Sequence, residues 1–447
     1  MNLQTRNKLW IVLIVIFCAS LAYSFYYRIP TAVDARAYDN IGWNLAQGIG
    51  YLEHPDYYFN TPALDDGIGR IGPGYEFFLA GIYKIFGHKI WLVWIIHGLL
   101  RFLTAFIIYK LCLFLFEDYG YREQVGLLAA FLFGFSPDLI ILNSMLLTET
   151  FFLFLLAWTS YILLKTLDSP NIKSVLYSSF LLGVSFMARP TIVFYLIAGA
   201  IIFFYRNKIS YAFLLFLFPI IIVAPWAVRN WNIYHRVILT SSTGGYDLWV
   251  GNNASATGGF DKTNEIASFR RSNGIIASDE KGWSEYFSFI RAHPIKFIDL
   301  QLEKAGIYFS MLRPTGFWDH LGKFEKVFTL GASFLWTSIL FGFGIAGVFL
   351  LGDETKNIFR KRIFILFAIL QPLAVIPVIV ETRYRAPFFI FLAISVAYVL
   401  TKFYYDKENK QKLKYIAAMS FLFLFLIIIW DLAGNFGEVI SRFKNLI

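Results

Sequence analysis

The feature that most limits this chain is a succession of apolar runs, many near the roughly 20 residues needed to cross a bilayer core, separated by polar segments of very different lengths. With 57% hydrophobic residues, only 16% charged ones and a mean hydropathy of +0.58, the chain has more apolar surface than a water-facing shell can hide. Lipid as solvent removes that difficulty, and in lipid only helices or closed barrels satisfy their own backbone. The runs lie at 9–27, 91–116, 125–135, 146–164, 175–187, 191–204, 211–224, 327–351, 363–380, 388–401 and 415–430. The sequence therefore predicts an all-α polytopic membrane protein of about eleven transmembrane helices.

Charge gives the direction of each crossing. Arg6 and Lys8 precede the first run, and the loops containing Lys356, Arg360, Lys361 and Arg362, and 402–414, are strongly basic. By the positive-inside rule these face the cytoplasm, which places the N-terminus inside and the C-terminus outside a plasma (inner) membrane. The same loops account for the net charge of +10 without a nucleic-acid partner. The many Trp and Tyr suit anchoring at the lipid–water boundary. The N-terminal run resembles a signal peptide in its small residues near Ala19 and Ala22, but it is long enough to span and is taken as an uncleaved helix. Bulky Phe17 argues against lipid attachment at Cys18, and Cys18 and Cys112, both within apolar runs, give no disulfide framework.

Three regions follow: an N-terminal transmembrane region at 1–224 whose first outer loop (28–90) carries the catalytic residues, an extracytoplasmic subdomain at 225–326, and a C-terminal transmembrane region at 327–447. The first outer loop holds Asp34, Asp39, Asp65, Asp66 and Arg70. It should contain two interfacial helices, at 38–47 and 74–86, the second opened by Pro73. The outer subdomain should carry short helices near 283–292 and 295–309.

Placed on this map, Asp34, Arg70, Glu149, Arg189, Arg229, Arg383 and Tyr384 all fall at or beyond outer span ends. Carboxylates beside arginines suit a site that removes a proton and holds an anion. Arginine fits phosphate because its planar fork donates two parallel hydrogen bonds. Each residue has a plainer reading. Asp34, one helical turn from Tyr38, can be a helix cap. Glu149 can be a first-turn acid favoured by the helix dipole. The arginines can bind lipid headgroups, and Arg383 can form a surface pair with Glu381. His97 and Arg101, one turn apart inside the second run, should face other helices or water rather than lipid.

Gly67, Gly69 and Gly72 match a G-x-G-x-x-G spacing, but no strand or βαβ unit surrounds them, so a dinucleotide site is rejected. The glycines instead allow a tight turn. Asn253-Ala254-Ser255 fits a glycosylation acceptor, a pattern common by chance. The acids lack metal-ligand spacing, so no metal site and no cofactor are assigned, and a divalent cation is left open.

The ordered motifs resemble the polytopic glycosyltransferases of the GT-C superfamily, family 39, which includes protein O-mannosyltransferases and lipid A aminoarabinose transferases. They are Asp34 with Tyr38, Asn44-Leu45-Ala46-Gln47-Gly48 with Gly50-Tyr51, Arg70-Ile71-Gly72-Pro73-Gly74-Tyr75, Leu147-Thr148-Glu149, Arg189-Pro190, Pro225-Trp226 with Arg229-Asn230, Gly251-Asn252-Asn253, and Arg383-Tyr384 with Pro387. Many members carry Asp-Glu at the first-loop acid; here Ala35 follows Asp34, and Asp39 is the nearest substitute.

The resemblance implies a GT-C-like fold and transfer of a sugar from a polyprenyl-phosphate donor to a hydroxyl on a glycan, lipid or protein at the outer face, by inverting displacement. It implies Asp34 as general base and Glu149 as a positioning acid. Arg70, Arg383 and Tyr384, with Arg189 and Arg229, would hold the donor phosphate, and Tyr38 and Asp39 would meet acceptor or sugar. Membrane lipids are the other partners. Two further readings compete: a lipid or solute transporter or flippase without chemistry, which should show paired halves and mid-bilayer charges, and a polymerase or ligase of lipid-linked glycans.

Overall fold

The computed structural model describes residues 3–54, 67–69, 72–260, 262–406 and 410–444, apart from the side chains of 434–436 and 438–444. Arg70, Asp65 and Asp66 lie outside the described residues. Among the described residues there are helices and no strands.

Helix α1 (Leu3–Tyr27) leads to an interfacial pair, α2 (Asp34–Ala46) and α3 (Gly74–Phe86). A bundle follows: α4 (Ile90–Leu115), α5 (Arg122–Gly134), α6 (Pro137–Ser144), α7 (Thr148–Asp168), α8 (Ile172–Ala188), α9 (Val193–Tyr205) and α10 (Ile209–Tyr234). The segment between α10 and the closing helices carries α11 (Gly244–Gly251), α12 (Asn264–Ala292) and α13 (Pro294–Phe309). Helices α14 (Lys323–Gly352), α15 (Ile358–Val375), α16 (Phe388–Tyr405) and α17 (Lys410–Lys444) close the chain, with a 3₁₀ turn at Thr382–Arg385 before α16.

Among the described residues, seven helices are long and apolar enough to cross a membrane, and an eighth crossing forms if the pair α5–α6, bent by 55°, is one span. Each of the eleven apolar runs contains a helix, but α8 and α9 are short and α15 carries Arg360, Lys361 and Arg362 near its start. The count of eleven thus exceeds what length and composition alone support. Helix α16 sits at the centre: Phe388 to Val399 is buried almost without interruption. A helix buried all round needs no amphipathic stripe, which is why its sequence is apolar on every face.

One break and one unbroken helix at prolines have identifiable causes. Pro137 at the start of α6 cannot continue α5, and the Gly134 carbonyl left at the bend accepts from Arg101, which also donates to Ser20 Oγ at 3.0 Å. Arg101 and His97, the latter held between Tyr75 Oη and the Asn143 carbonyl at 3.1 Å each, therefore staple the bundle. Both side chains are buried among helices, and Arg101 borders a small internal cavity with Thr104 and Thr150. The second case runs the other way. Helix α10 continues through Pro219 and Pro225 to Tyr234, whereas the apolar run in the sequence ends at 224. In lipid a broken helix leaves backbone unsatisfied, so the chain keeps helical geometry around a proline where it would stop in water.

The glycines of the first loop act through close approach. Helix α2 crosses α3 at Gly42, where a Cβ would stand 2.8 Å from Leu79 Cβ. A Cβ on Gly72 would stand 2.6 Å from the Met187 carbonyl oxygen, and one on Gly74 would stand 2.7 Å from Ala188 N and Met187 C. The loop is thereby pressed onto the end of α8, beside Arg189. Gly74→Ala should cost about 1–3 kcal/mol, the usual penalty for overpacking. A lowered unfolding temperature in detergent is the expected reading; an unchanged one would show that the α8 backbone yields freely.

Candidate active site

Two acid–arginine pairs meet at the end of the bundle that carries the first loop. Asp34 opens α2, and its Oδ2 lies 2.8 Å from Arg383 Nη2, a residue 349 positions later. Arg383 Nε also lies 2.7 Å from Glu381 Oε2. Asp34 is the first residue of its helix and not the cap; the cap position is Val33, which contributes no side-chain bond. Val33 has φ +49°, strained for a β-branched residue, at a cost of about 1–3 kcal/mol directly before the acid. The acid still benefits from the positive end of the helix.

The second pair is Glu149 Oε1 with Arg189 Nη2 at 2.7 Å, both buried. Arg189 also donates to Thr148 Oγ1 from Nη2 at 2.8 Å. It is held in extended backbone between α8 and the Pro190 turn, so its side chain projects from a helix end. Tyr384 joins the two pairs: its ring centroid lies 5.9 Å from the Arg189 guanidinium carbon and 5.3 Å from that of Arg383. Cations over an aromatic face are attracted to it, more so when desolvated. Burial works against the charge on Arg383, but Tyr384, Glu149, Glu381 and Asp34 outweigh it and hold this guanidinium more firmly protonated than a free arginine.

Tyr38, one turn along α2 from Asp34, is buried with its ring edge-on to Tyr75 at 5.5 Å. Burial first, then the charges of Asp34 and Glu76, push its hydroxyl well above the usual tyrosine range, so it stays protonated. Asp39 is placed differently. Five residues from Asp34 is about 140° around a helix, and the Asp39 carboxylate accepts from Tyr83 Oη at 2.6 Å and meets His88 Nε2 at 2.8 Å. There it ties α2 to the end of α3. Arg229 is also apart, in an aromatic enclosure of Trp226, Tyr51 and Tyr234 at 4.9, 5.7 and 5.7 Å.

A cleft of about 280 Å³ opens beside Arg383. Glu381, Thr382, Arg313, Thr315, Phe317 and Ile307 are among its lining residues. Its wall is built by residues that carry no signal of function in the sequence. Asp138, which reads there only as part of a helix break, is fully buried and accepts from Thr315 N at 3.0 Å, Gly316 N at 2.9 Å and Ser333 Oγ at 2.9 Å. Arg385, also fully buried, donates to Thr315 Oγ1 at 2.7 Å, to the Ser310 carbonyl at 2.6 Å, and to the carbonyls of Tyr308 and Arg313. Arg313 forms a two-pronged pair with Asp431, at 2.8 and 3.0 Å.

On the other side, Asn252 Nδ2 donates to the carbonyls of Pro377 and Val378 at 3.2 and 3.1 Å, and buried Lys304 donates to Asn252 Oδ1 at 2.7 Å and the Val378 carbonyl at 3.1 Å. Burial pulls the Lys304 amine down to about 7. These bonds fix the extended segment leading into Glu381. Beyond it, Asp247 is pushed up to about 7 by burial, which outweighs the pull of Arg270; Asp279 and Glu381 push it the same way. No group of three or more potential metal ligands occurs among the described residues.

Chemically, the arrangement offers carboxylates able to accept a proton within reach of guanidiniums able to hold an anion, beside a polar cleft at the mouth of a membrane bundle. The class these features define is a multi-pass membrane protein with a polar site at one end of its helix bundle. More particularly, residues 70–228 match the family of dolichyl-phosphate-mannose-protein mannosyltransferases. That segment contains Arg70, Glu149 and Arg189, and excludes Asp34, Arg229, Arg383 and Tyr384. No curated protein sequence matches the chain. Among solved structures, the crystal structure of ArnT from Cupriavidus metallidurans bound to undecaprenyl phosphate aligns at 10% identity and a TM-score of 0.45, over 97% of this chain and 73% of that one.

Proposed function

We propose that the protein transfers a sugar from a polyprenyl-phosphate carrier to an acceptor hydroxyl. The observation that carries this reading is the 2.8 Å contact between Asp34 and Arg383, beside the cleft. A donor of this kind needs two things at one point: a base for the incoming hydroxyl and a cation for the departing phosphate.

In the proposed step the acceptor oxygen gives its proton to the Asp34 carboxylate and bonds to the anomeric carbon from the face opposite the phosphate. The bond between that carbon and the phosphate oxygen breaks, and its electron pair leaves with the polyprenyl phosphate. Arg383 receives the charge that develops there, and inversion follows from the single displacement. Tyr384 holds Arg383 and Arg189 on its ring, while Glu149 fixes Arg189. Arg70 belongs to the same donor-phosphate set by its motif; Arg229, in its aromatic enclosure, and Asp39, in its bonds to Tyr83 and His88, are weaker members of the site. With the basic loops at the opposite end of the bundle facing the cytoplasm, the cleft faces outward from a plasma membrane.

Incubating the purified protein with a panel of polyprenyl-phosphate sugars and a mixed acceptor pool, and measuring freed polyprenyl phosphate by mass spectrometry, tests the reading. Release with at least one donor is expected. No release from any donor, with intact transfer controls, sinks it.

A further inference from the structure

Helix α13 (Pro294–Phe309) divides into three sectors along its length. One is buried against the protein and carries Leu300, Lys304, Ile307 and Tyr308. A second is charged and exposed, with Lys296, Asp299 and Glu303. The third is apolar and exposed: Ile295 at 75%, Ile298 at 59% and Leu302 at 54%, at the spacing of one helical face. Three large aliphatic side chains in a row are a costly surface to present to water.

The neighbouring element indicates what covers them. At its C-terminal end α13 packs on α17, where a Cβ on Gly306 would stand 3.3 Å from Trp430 Cδ1. Helix α17 is long and apolar enough to cross a membrane over Lys410–Ala433, and its outward side chains, among them Phe423, Leu426 and Trp430, are about half exposed. The α13 stripe therefore continues a surface that already belongs to lipid, and Trp430 sits at the junction, as tryptophans do at the membrane boundary.

We propose that α13 lies in the lipid–water boundary, with Ile295, Ile298 and Leu302 against acyl chains and the Lys296–Glu303 sector toward water. A helix with one apolar and one charged sector settles about 5–10 Å into that boundary. The same helix carries Ile307 on the cleft wall and Lys304 on the Val378 carbonyl, so the cleft is fixed at headgroup depth. This inference stands whatever reaction the cleft serves.

The test uses the full chain in nanodiscs of phosphatidylcholine and phosphatidylglycerol, with Cys18→Ser to leave only Cys112, which is fully buried. Nitroxide labels are placed singly through Ile298→Cys, Leu302→Cys and Glu303→Cys. At 298 and 302 collisions with oxygen should exceed those with a water-soluble nickel chelate several-fold relative to 303. Equal ratios at all three sites overturn the proposal. So does dipolar broadening at 298 that vanishes on dilution with unlabelled protein, since that assigns the stripe to a second copy of the chain.

Discussion

On the proposed function, Asp34→Asn should abolish sugar transfer while leaving the protein folded and its grip on the lipid phosphate intact or tighter. The first half follows from the proposed role of the carboxylate: removing a general base costs about 10²–10⁴ in rate. The amide keeps the shape of the side chain and an oxygen for the Arg383 guanidinium, so the helix start and the turn at 382–385 have no reason to move. The second half follows from competition. In the structure Arg383 is already occupied by Asp34 and Glu381. A phosphate arriving at that guanidinium displaces one of them, and the substituted amide is the weaker competitor because it carries no charge. Turnover and binding of polyprenyl phosphate, measured on the same preparation, separate the two halves. Turnover within tenfold of wild type would remove Asp34 as the base, and weakened lipid binding would remove the competition.

Arg385→Ala should destabilise the protein by about 3–5 kcal/mol, far more than Arg383→Ala, although the two arginines are two residues apart. Arg385 is fully buried and serves three carbonyls and the Thr315 hydroxyl. Each buried carbonyl left without a donor costs about 1–3 kcal/mol. Arg383 is near the cleft, and its loss leaves carboxylates that water can reach. Buried Cys112 gives a direct readout: in a Cys18→Ser background, a thiol-reactive dye reports unfolding as Cys112 becomes accessible. Arg385→Ala should lower that transition by many degrees. Arg383→Ala should barely move it while weakening donor binding. Equal shifts for the two variants would contradict the division of labour between them.

How much of the molecule is legible in its sequence depends on how far each contact reaches along the chain. The helix at Gly74–Phe86 follows from local signals: a proline at its start and apolar residues at helical spacing. Placing Asp34, Glu149, Arg189 and Arg383 at one end of the bundle requires only counting crossings. The 2.8 Å contact between Asp34 and Arg383 is not legible, because no local rule links positions 349 apart. The clamp of Asp138 on the Thr315–Gly316 backbone is hidden for the same reason, 177 residues away; in the sequence Asp138 looks like part of a break in a helix. Asp39 is a different case. Proximity in the chain groups it with Asp34, yet the helical angle between them already separates their faces, and Tyr83 and His88 take it up instead.

The joining of position 34 to position 383 has a consequence for how the protein matures. The acid emerges from the ribosome with the first helix, whereas its cationic partner emerges only after nearly all the rest of the chain has been made. A partly synthesised or prematurely ended chain can thread its early helices into the bilayer and still hold half of the paired centre. On the proposed function, the paired centre is complete only once the segment carrying Arg383 has been made and has docked against α2.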